Sequence, residues 1–141
     1  MALTKVTNEL LEIGVLADAT NFTDSILISQ NASTGTLSSA SNNTGLGDSV
    51  FAALTSGTNN TGVGSQVLES NTTGFFNTAL GHGALSTEDA GDRSVGIGYF
   101  ALNAQNVSGG GNAYNVAVGY GAGEVVSTGV QNTLVGGLAG D

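Results

Sequence analysis

Branched apolar residues alternate with small ones in a pentad that recurs six times along the chain. Each pentad has Asn or Ser first, a β-branched residue second, a branched apolar residue fourth and glycine last, and the third residue is small in five of the six. Residues two apart on a strand share a face, so each pentad predicts a short strand with one apolar face. The pentads occupy residues 43–47, 60–64, 77–81, 94–98, 115–119 and 132–136.

The spacing of the pentads predicts the architecture. Their closing glycines lie at 47, 64, 81, 98, 119 and 136, which gives steps of 17, 17, 17, 21 and 17 residues. A regular step predicts stacked coils in which each strand pairs in parallel with its copy about 4.8 Å away. We therefore predict an all-β fold, a β-solenoid or parallel β-roll of about six 17-residue coils. The four additional residues near 108–114 are expected to bulge from a turn and to leave the stack intact.

Other columns of the repeat predict the remainder of each coil. The pentad glycine predicts a bend with positive φ, and a following apolar pair such as Val50 and Phe51 predicts a return strand. The Asn that opens five pentads predicts a stacked amide ladder. The small third residue predicts that another backbone, which we expect to be that of a second chain, packs closely on that face. A second turn is predicted at Gly57, Gly74, Gly91 and Gly129.

The segment before the pentads is predicted to differ from the repeats. We divide the chain into residues 1–40, an N-terminal cap and attachment segment, and residues 41–141, the solenoid. Four apolar residues with 3-4-3 spacing fit a short helix, whereas the run 4–7 fits a strand, and both interpretations remain open. Residues 25–29 predict a strand that forms a degenerate first coil. The four apolar residues, which we assign to attachment, are Leu3, Val6, Leu10 and Ile13.

Composition and charge narrow the functional classes. The chain has 23 Gly, no Pro and no Cys, so it can form neither a disulfide nor a thiolate metal site. Its net charge is −9, with Lys5 and Arg93 as the only cations, which excludes nucleic-acid binding and disfavours binding to anionic membranes. No export signal and no apolar run of about 20 residues is recognisable, so we expect no membrane insertion.

The polar residues offer no catalytic constellation. His82 is the only histidine and follows a pentad glycine, so we predict a turn residue rather than a zinc ligand or a catalytic base. Glu88, Asp89, Asp92 and Arg93 cluster in a stretch that predicts a solvated turn, with a weak site for a hard cation as the alternative. We therefore expect no catalytic residue, no metal and no cofactor, and an enzyme is the least supported class.

The aromatic residues divide into core and surface. Phe51 occupies the column of the predicted return strand, so we place it in the core. Five others fall in turns, beside bends or in the insertion, where exposed aromatic rings commonly serve recognition. Packing between chains accounts for them equally well. The predicted receptor-contacting residues are Phe75, Phe76, Tyr99, Tyr114 and Tyr120.

Two stretches resemble a known repeat family. Residues 77–85 (Asn-Thr-Ala-Leu-Gly-His-Gly-Ala-Leu) and residues 115–122 (Asn-Val-Ala-Val-Gly-Tyr-Gly-Ala) are similar to the Asn-Thr-Ala-Val-Gly repeats of bacteriophage tail fibres. The opening residues 1–7 also resemble the start of a phage fibre, and the pentads resemble strands in the heads of trimeric autotransporter adhesins. The resemblance implies a homotrimer of left-handed parallel β-rolls that presents a receptor-binding surface.

The resemblance also implies a structural and adhesive role in a virion, on the tail rather than the capsid. We expect a short phage tail fibre or tail adhesin, made in the host cytoplasm. It would bind other virion proteins through residues 1–40 and a host cell-surface receptor through its coils. One alternative is a capsid decoration protein, a cement or spike, of the same architecture. A minor alternative is an ice-binding solenoid with a Thr ladder, which Val95 and Val116 interrupt.

Overall fold

The computed structural model describes residues 14–19, 21–29, 34–107 and 109–141. Within these ranges the secondary structure is all β, and no helix long and apolar enough to cross a membrane is found. The strands are β1 Gly14–Ala19, β2 Phe22–Ser29, β3 Ala40–Ser41, β4 Thr44–Leu46, β5 Thr61–Val63, β6 Thr78–Leu80, β7 Gly91–Asp92, β8 Val95–Ile97, β9 Gly111–Asn112, β10 Val116–Val118 and β11 Thr133–Val135.

Seven strands stack in parallel, one from each coil, in the order β2-β4-β5-β6-β8-β10-β11. Thr44 pairs with Thr61 and Thr61 with Thr78, so residues 17 apart lie directly over one another. Val95 pairs with Val116 across the longer step, so the insertion leaves the stack intact as predicted. The predicted β-solenoid of 17-residue coils is confirmed.

Strand β2 begins the parallel stack. It pairs in parallel with β4 on one side and antiparallel with β1 on the other, while β3 also pairs with it. The strand predicted at residues 25–29 is therefore confirmed as part of β2, and Gly14 is the first residue of β1. The predicted attachment residues lie outside the described part of the chain; they are Leu3, Val6, Leu10 and Ile13.

The prediction that a second chain packs on the face of the small third residues was wrong. The small third residues point inward and are buried, whereas the branched fourth residues point outward, with Leu46 50% and Leu80 46% exposed. The reason is the thinness of the coil: a Cβ atom added to Gly62 would lie 2.9 Å from Cγ2 of Val50. The groups that closely approach the small residues are thus mainly side chains of the same chain, and the interior is filled from the opposite side.

The predicted return strand was also wrong, because the segment after each pentad is a series of turns. Neighbouring residues of a strand point to opposite faces. Here Phe51 has a φ of 58°, and this left-handed conformation allows both Val50 and Phe51 to be fully buried. The prediction that Phe51 belongs to the core is confirmed. The same conformation recurs at Leu68, Leu85 and Leu102.

Two columns join the coils to one another. The pentad glycines have the predicted positive φ, 137° at Gly47, and a Cβ atom there would lie 2.2 Å from the carbonyl oxygen of Gly64. The Asn ladder is present, but apart from one bond between amide side chains its bonds connect side chain to backbone: Oδ1 of Asn43 accepts from the N–H of Asn60, and Oδ1 of Asn60 accepts from the N–H of Asn77. The coils that these bonds join are thereby fixed in register.

Candidate binding surface

The second and fourth residues of the pentads form two columns on the outside of the solenoid. We call these columns, with the two β2 residues that extend them, the outer face. It carries no charge, and its seven strands span about 29 Å at about 4.8 Å per step. Most monomeric proteins do not leave long apolar surfaces open to water. The outer face comprises Ile26, Ile28, Thr44, Leu46, Thr61, Val63, Thr78, Leu80, Val95, Ile97, Val116, Val118, Thr133 and Val135.

A further column flanks the outer face at each end of the strands. We call the residues that precede the pentads the entry rim and those that follow the pentad glycines the exit rim. Both rims are polar in the first coils and become aromatic further along the stack. The entry rim is Asn42, Asn59, Phe76, Arg93, Tyr114 and Gln131. The exit rim is Asp48, Ser65, His82, Tyr99, Tyr120 and Gly137.

Aromatic rings stack along the exit rim. The ring of Tyr99 lies 5.4 Å from that of His82, at an interplanar angle of 29°, and 5.1 Å from that of Tyr120, at 6°. Phe100, in the adjacent column, contacts His82 and Tyr99 at 5.3 and 4.3 Å between ring centroids. Tyr99 is 42% exposed and Tyr120 61% exposed, so the stack is held in place yet reaches solvent. His82 lies in a turn, as predicted.

The entry rim holds a cation beside two aromatic rings. The guanidinium carbon of Arg93 lies 5.0 Å from the ring centroid of Phe75 and 5.2 Å from that of Phe76, within the range of a cation–π interaction. Arg93 also donates a hydrogen bond to Oδ1 of Asn112. Tyr114, 47% exposed, follows Arg93 on the rim. All six entry-rim residues have φ between 53° and 62°, a conformation that Asn tolerates well and bulky residues rarely adopt.

The predicted solvated turn at residues 88–93 was wrong for two of its carboxylates, because Glu88 and Asp92 are buried. Glu88 lies in the interior, where Oε1 accepts from the N–H of Gly91 at 2.7 Å and Oε2 accepts from Nε2 of Gln105 at 2.8 Å. Oε1 of Gln105 in turn accepts from Nδ2 of Asn115 at 2.7 Å. A polar network thus occupies the core, and Asp89 alone of the three acids is exposed.

Asp92 lies at the junction of this interior and the entry rim. Burial raises the pKa of its carboxyl above the ordinary value. The backbone N–H of Phe75, which donates to Oδ1 at 2.9 Å, and the charge of Arg93 lower the pKa, whereas the charge of Glu88 raises it. Desolvation is the largest of these effects. The ionised form of Asp92 is therefore less favourable in the folded chain than in water.

The structure separates the predicted receptor-contacting residues into two groups. Tyr99 and Tyr120 lie together on the exit rim, and Phe75, Phe76 and Tyr114 lie on or beside the entry rim. Phe75 is half-buried and the other four are exposed.

The interior polar network was missed by sequence reasoning. Two of its members, Glu88 and Gln105, occupy the column that holds Leu37 and Leu54 in the first coils. Aligning the repeats with one another would have revealed that polar residues replace leucine in this column. The polar members of this column are Asn71, Glu88 and Gln105.

No chemical centre accompanies these surfaces in the described residues. Among them, no group of three or more His, Cys, Asp or Glu side chains could hold a metal ion. An open groove of about 700 Å³ contains two carboxylates, those of Glu69 and Asp89, among small and hydroxyl side chains. Its other lining residues are Ala52, Ala53, Ser70, Thr72, Thr87 and Asn106.

No family model matches the chain, and neither does any curated protein or solved structure. Functional inference therefore depends on the geometry of the chain itself. The features available for binding are the outer face, the aromatic exit rim and the mixed entry rim.

Proposed function

We propose that this chain is a homotrimeric structural and adhesive protein of a virion, a short tail fibre or tail adhesin. Its coils would form a rigid shaft that carries a receptor-binding surface. The observation that carries the proposal is the outer face, whose uncharged, branched side chains are exposed or half-buried along the whole stack. The pentad resemblance to phage fibre repeats supports the assignment to a virion.

The outer face favours association with further copies of the same chain. Leu46, Val63 and Leu80 lie in register, so the ladder repeats at the strand spacing. A second solenoid with the same spacing can interdigitate its side chains over the full length, whereas an irregular partner would match only part of it. Burying such a surface contributes about 25 cal/mol for each Å² removed from water. Three copies around an axis would cover all three outer faces at once.

Light scattering on the purified full chain tests this association. We expect three chains per particle for the wild type and dissociation to single chains for Leu80→Lys, which places a charge in the proposed interface. Leu80 is exposed in the single chain, so the coil itself should tolerate the change. Gln66→Lys adds the same charge at an exposed residue outside the outer face and should remain trimeric. A monomeric wild type would refute the proposal.

The virion assignment needs a separate experiment. Antibody labelling of intact particles in negative-stain images should mark the tail. Label on the head would identify a capsid decoration protein instead, and unlabelled particles would contradict both virion roles.

Ice binding is a second candidate, because the exposed Thr column is a specific observation in its favour. Thr44, Thr61 and Thr78 are exposed and paired in register. Val95 and Val116 interrupt this column further along the stack. A monomer that produces thermal hysteresis would support this function, since ice binding requires the face that trimerisation would cover.

A further inference from the structure

The stacked aromatic rings of the exit rim end in an open ring face. One face of Tyr120 is covered by Tyr99, which lies parallel to it at 5.1 Å. The next residue of the column is Gly137, which has no side chain to continue the stack. A Cβ atom added to Gly137 would have the carbonyl oxygen of Tyr120, 3.9 Å away, as its nearest neighbour. The second face of Tyr120 therefore opens onto free space.

Two side chains lie beside Gly121, the residue that follows Tyr120. A Cβ atom added to Gly121 would lie 2.8 Å from Cδ2 of Leu138. The same atom would lie 3.1 Å from Oε2 of Glu124. The Glu124 carboxylate makes no hydrogen bond within the described residues, and Leu138 is exposed. The exposed ring of Tyr120, an aliphatic side chain and a carboxylate acceptor thus lie on or beside the same short segment at one corner of the solenoid.

We propose that this corner binds a neutral pyranose of a glycan, which deepens the proposed adhesive function and rests on it. The C–H groups on one face of a pyranose form a flat apolar surface that packs on an aromatic ring. Its hydroxyl groups are donors for the carboxylate of Glu124. The only cation in the described residues, Arg93, belongs to the entry rim, and the net charge is −9, so acidic sugars are disfavoured.

The arrangement is also organised before the ligand arrives. Tyr99 covers one face of the Tyr120 ring and is itself held by His82 and Phe100, so part of the side-chain freedom of Tyr120 is lost before binding. A trimer would present three such corners on one particle. Weak single sites would then act together on a surface that carries many copies of the glycan.

A glycan array probed with the full chain tests the proposal. We expect retention of neutral oligosaccharides, and a loss of at least about tenfold in apparent affinity for Tyr120→Ser. Serine is the natural residue of this column at Ser65, so the coil should accept it. Gly137→Tyr should cause a similar loss by covering the open ring face while leaving Tyr120 in place. Because the chain has three Tyr and no Trp, tyrosine fluorescence provides a second readout in solution.

The controls separate this proposal from the function on which it rests. Val130→Ser removes an exposed apolar residue that belongs to neither rim and should retain binding. Equal loss in Val130→Ser, preference for acidic glycans, undiminished binding by Tyr120→Ser, or no retention of any neutral glycan would overturn the proposal. Light scattering on the same samples reports the trimer independently, so a trimer that retains no glycan refutes the binding site alone.

Discussion

The first coils and the later coils have the same backbone but opposite chemistry. In the first coils the interior column that contains Leu54 is apolar, and the rims carry Asn59 and Ser65. Around Glu88 the interior contains a hydrogen-bonded polar network, and the exit rim carries stacked aromatic rings. Compared with the first coils, the later coils have polar residues in an interior column and aromatic residues on the rims, while the strand register is the same.

The comparison shows which columns determine the fold. The two regions share the small inward residue and the pentad glycine. These columns close each coil and join it to the next through backbone contacts, so the remaining columns can vary. In a solenoid, each coil contacts mainly its neighbours, and stability is nearly a sum over coils and interfaces. Chemistry can thus change locally while the architecture persists.

The largest expected loss of stability should be equal in the first coils and in the later coils. Gly47→Ala and Gly98→Ala would each place a side chain on a residue with positive φ, 137° at Gly47 and 138° at Gly98. The new Cβ atom would lie 2.2 Å (Gly47) or 2.1 Å (Gly98) from the carbonyl oxygen of the next pentad glycine. Strain and overpacking together should cost about 3 kcal/mol or more of the unfolding free energy. Urea denaturation of the two variants and the wild type measures this loss of unfolding free energy.

Gly137→Ala is the matched control for that prediction. Its Cβ atom would have no neighbour closer than 3.9 Å, so we expect a change within about 0.5 kcal/mol. A clear difference between the Gly47 and Gly98 variants would show that the two regions do not share the same coil geometry.

The second effect should appear in the later region alone. Gln105→Leu restores the apolar residue type of the column but removes the donor to Glu88 and the acceptor for Asn115. Leaving buried polar groups unpaired should cost about 2–3 kcal/mol. The double variant Glu88→Leu/Gln105→Leu should lose less than the sum of the two single variants, because it removes both partners. Additive losses in a thermal or urea unfolding cycle would show that the network is not coupled.

Sequence patterns predicted much of the architecture, because hydrogen bonding between coils imposes a strict period. The step of 17 residues, the bend at Gly47 and the core position of Phe51 all follow from columns that repeat. Alternation along a strand identifies two faces but does not say which one faces inward. That choice depended on the width of the coil, which is set by the left-handed turns at residues such as Phe51 and Leu68. Those residues are not the glycines that usually signal such turns.

The candidate site was predictable to a similar extent. Tyr99 and Tyr120 were predicted to lie on the surface because they fall beside bends, and both are exposed. Their mutual stacking follows from residues 99 and 120 occupying one column across the longer step, which the period already implied. The burial of Glu88 could not be inferred from charge, since an acid near turns is normally solvated.

A smaller effect concerns pH and again distinguishes the later coils. Burial raises the pKa of Asp92, so the folded state favours the protonated carboxyl. The contribution of Asp92 to the unfolding free energy is complete below the ordinary pKa of an aspartate. It is lost as the pH rises through the pKa of Asp92 in the folded chain. Asp92→Asn should therefore reduce the loss of stability between about pH 4 and pH 7. The change at neutral pH should stay within about 1 kcal/mol. An unchanged pH profile in urea titrations would exclude Asp92 as its source.

The smallest change in unfolding free energy should come from giving a later entry-rim residue the residue type of the first coils. Phe76 has a φ of 60° and is exposed, and the same column carries Asn42 and Asn59. Phe76→Asn would relieve a conformation that suits Asn better than Phe, but would remove one ring from beside Arg93. An exposed cation–π contact contributes about 0.5–1 kcal/mol, similar to the relief expected, so the unfolding free energy should change by less than about 0.5 kcal/mol. A loss above 2 kcal/mol in thermal unfolding would mean that this aromatic residue supports the coil. The entry rim could then no longer be regarded as free to vary, and the contrast between the two regions would have a structural origin.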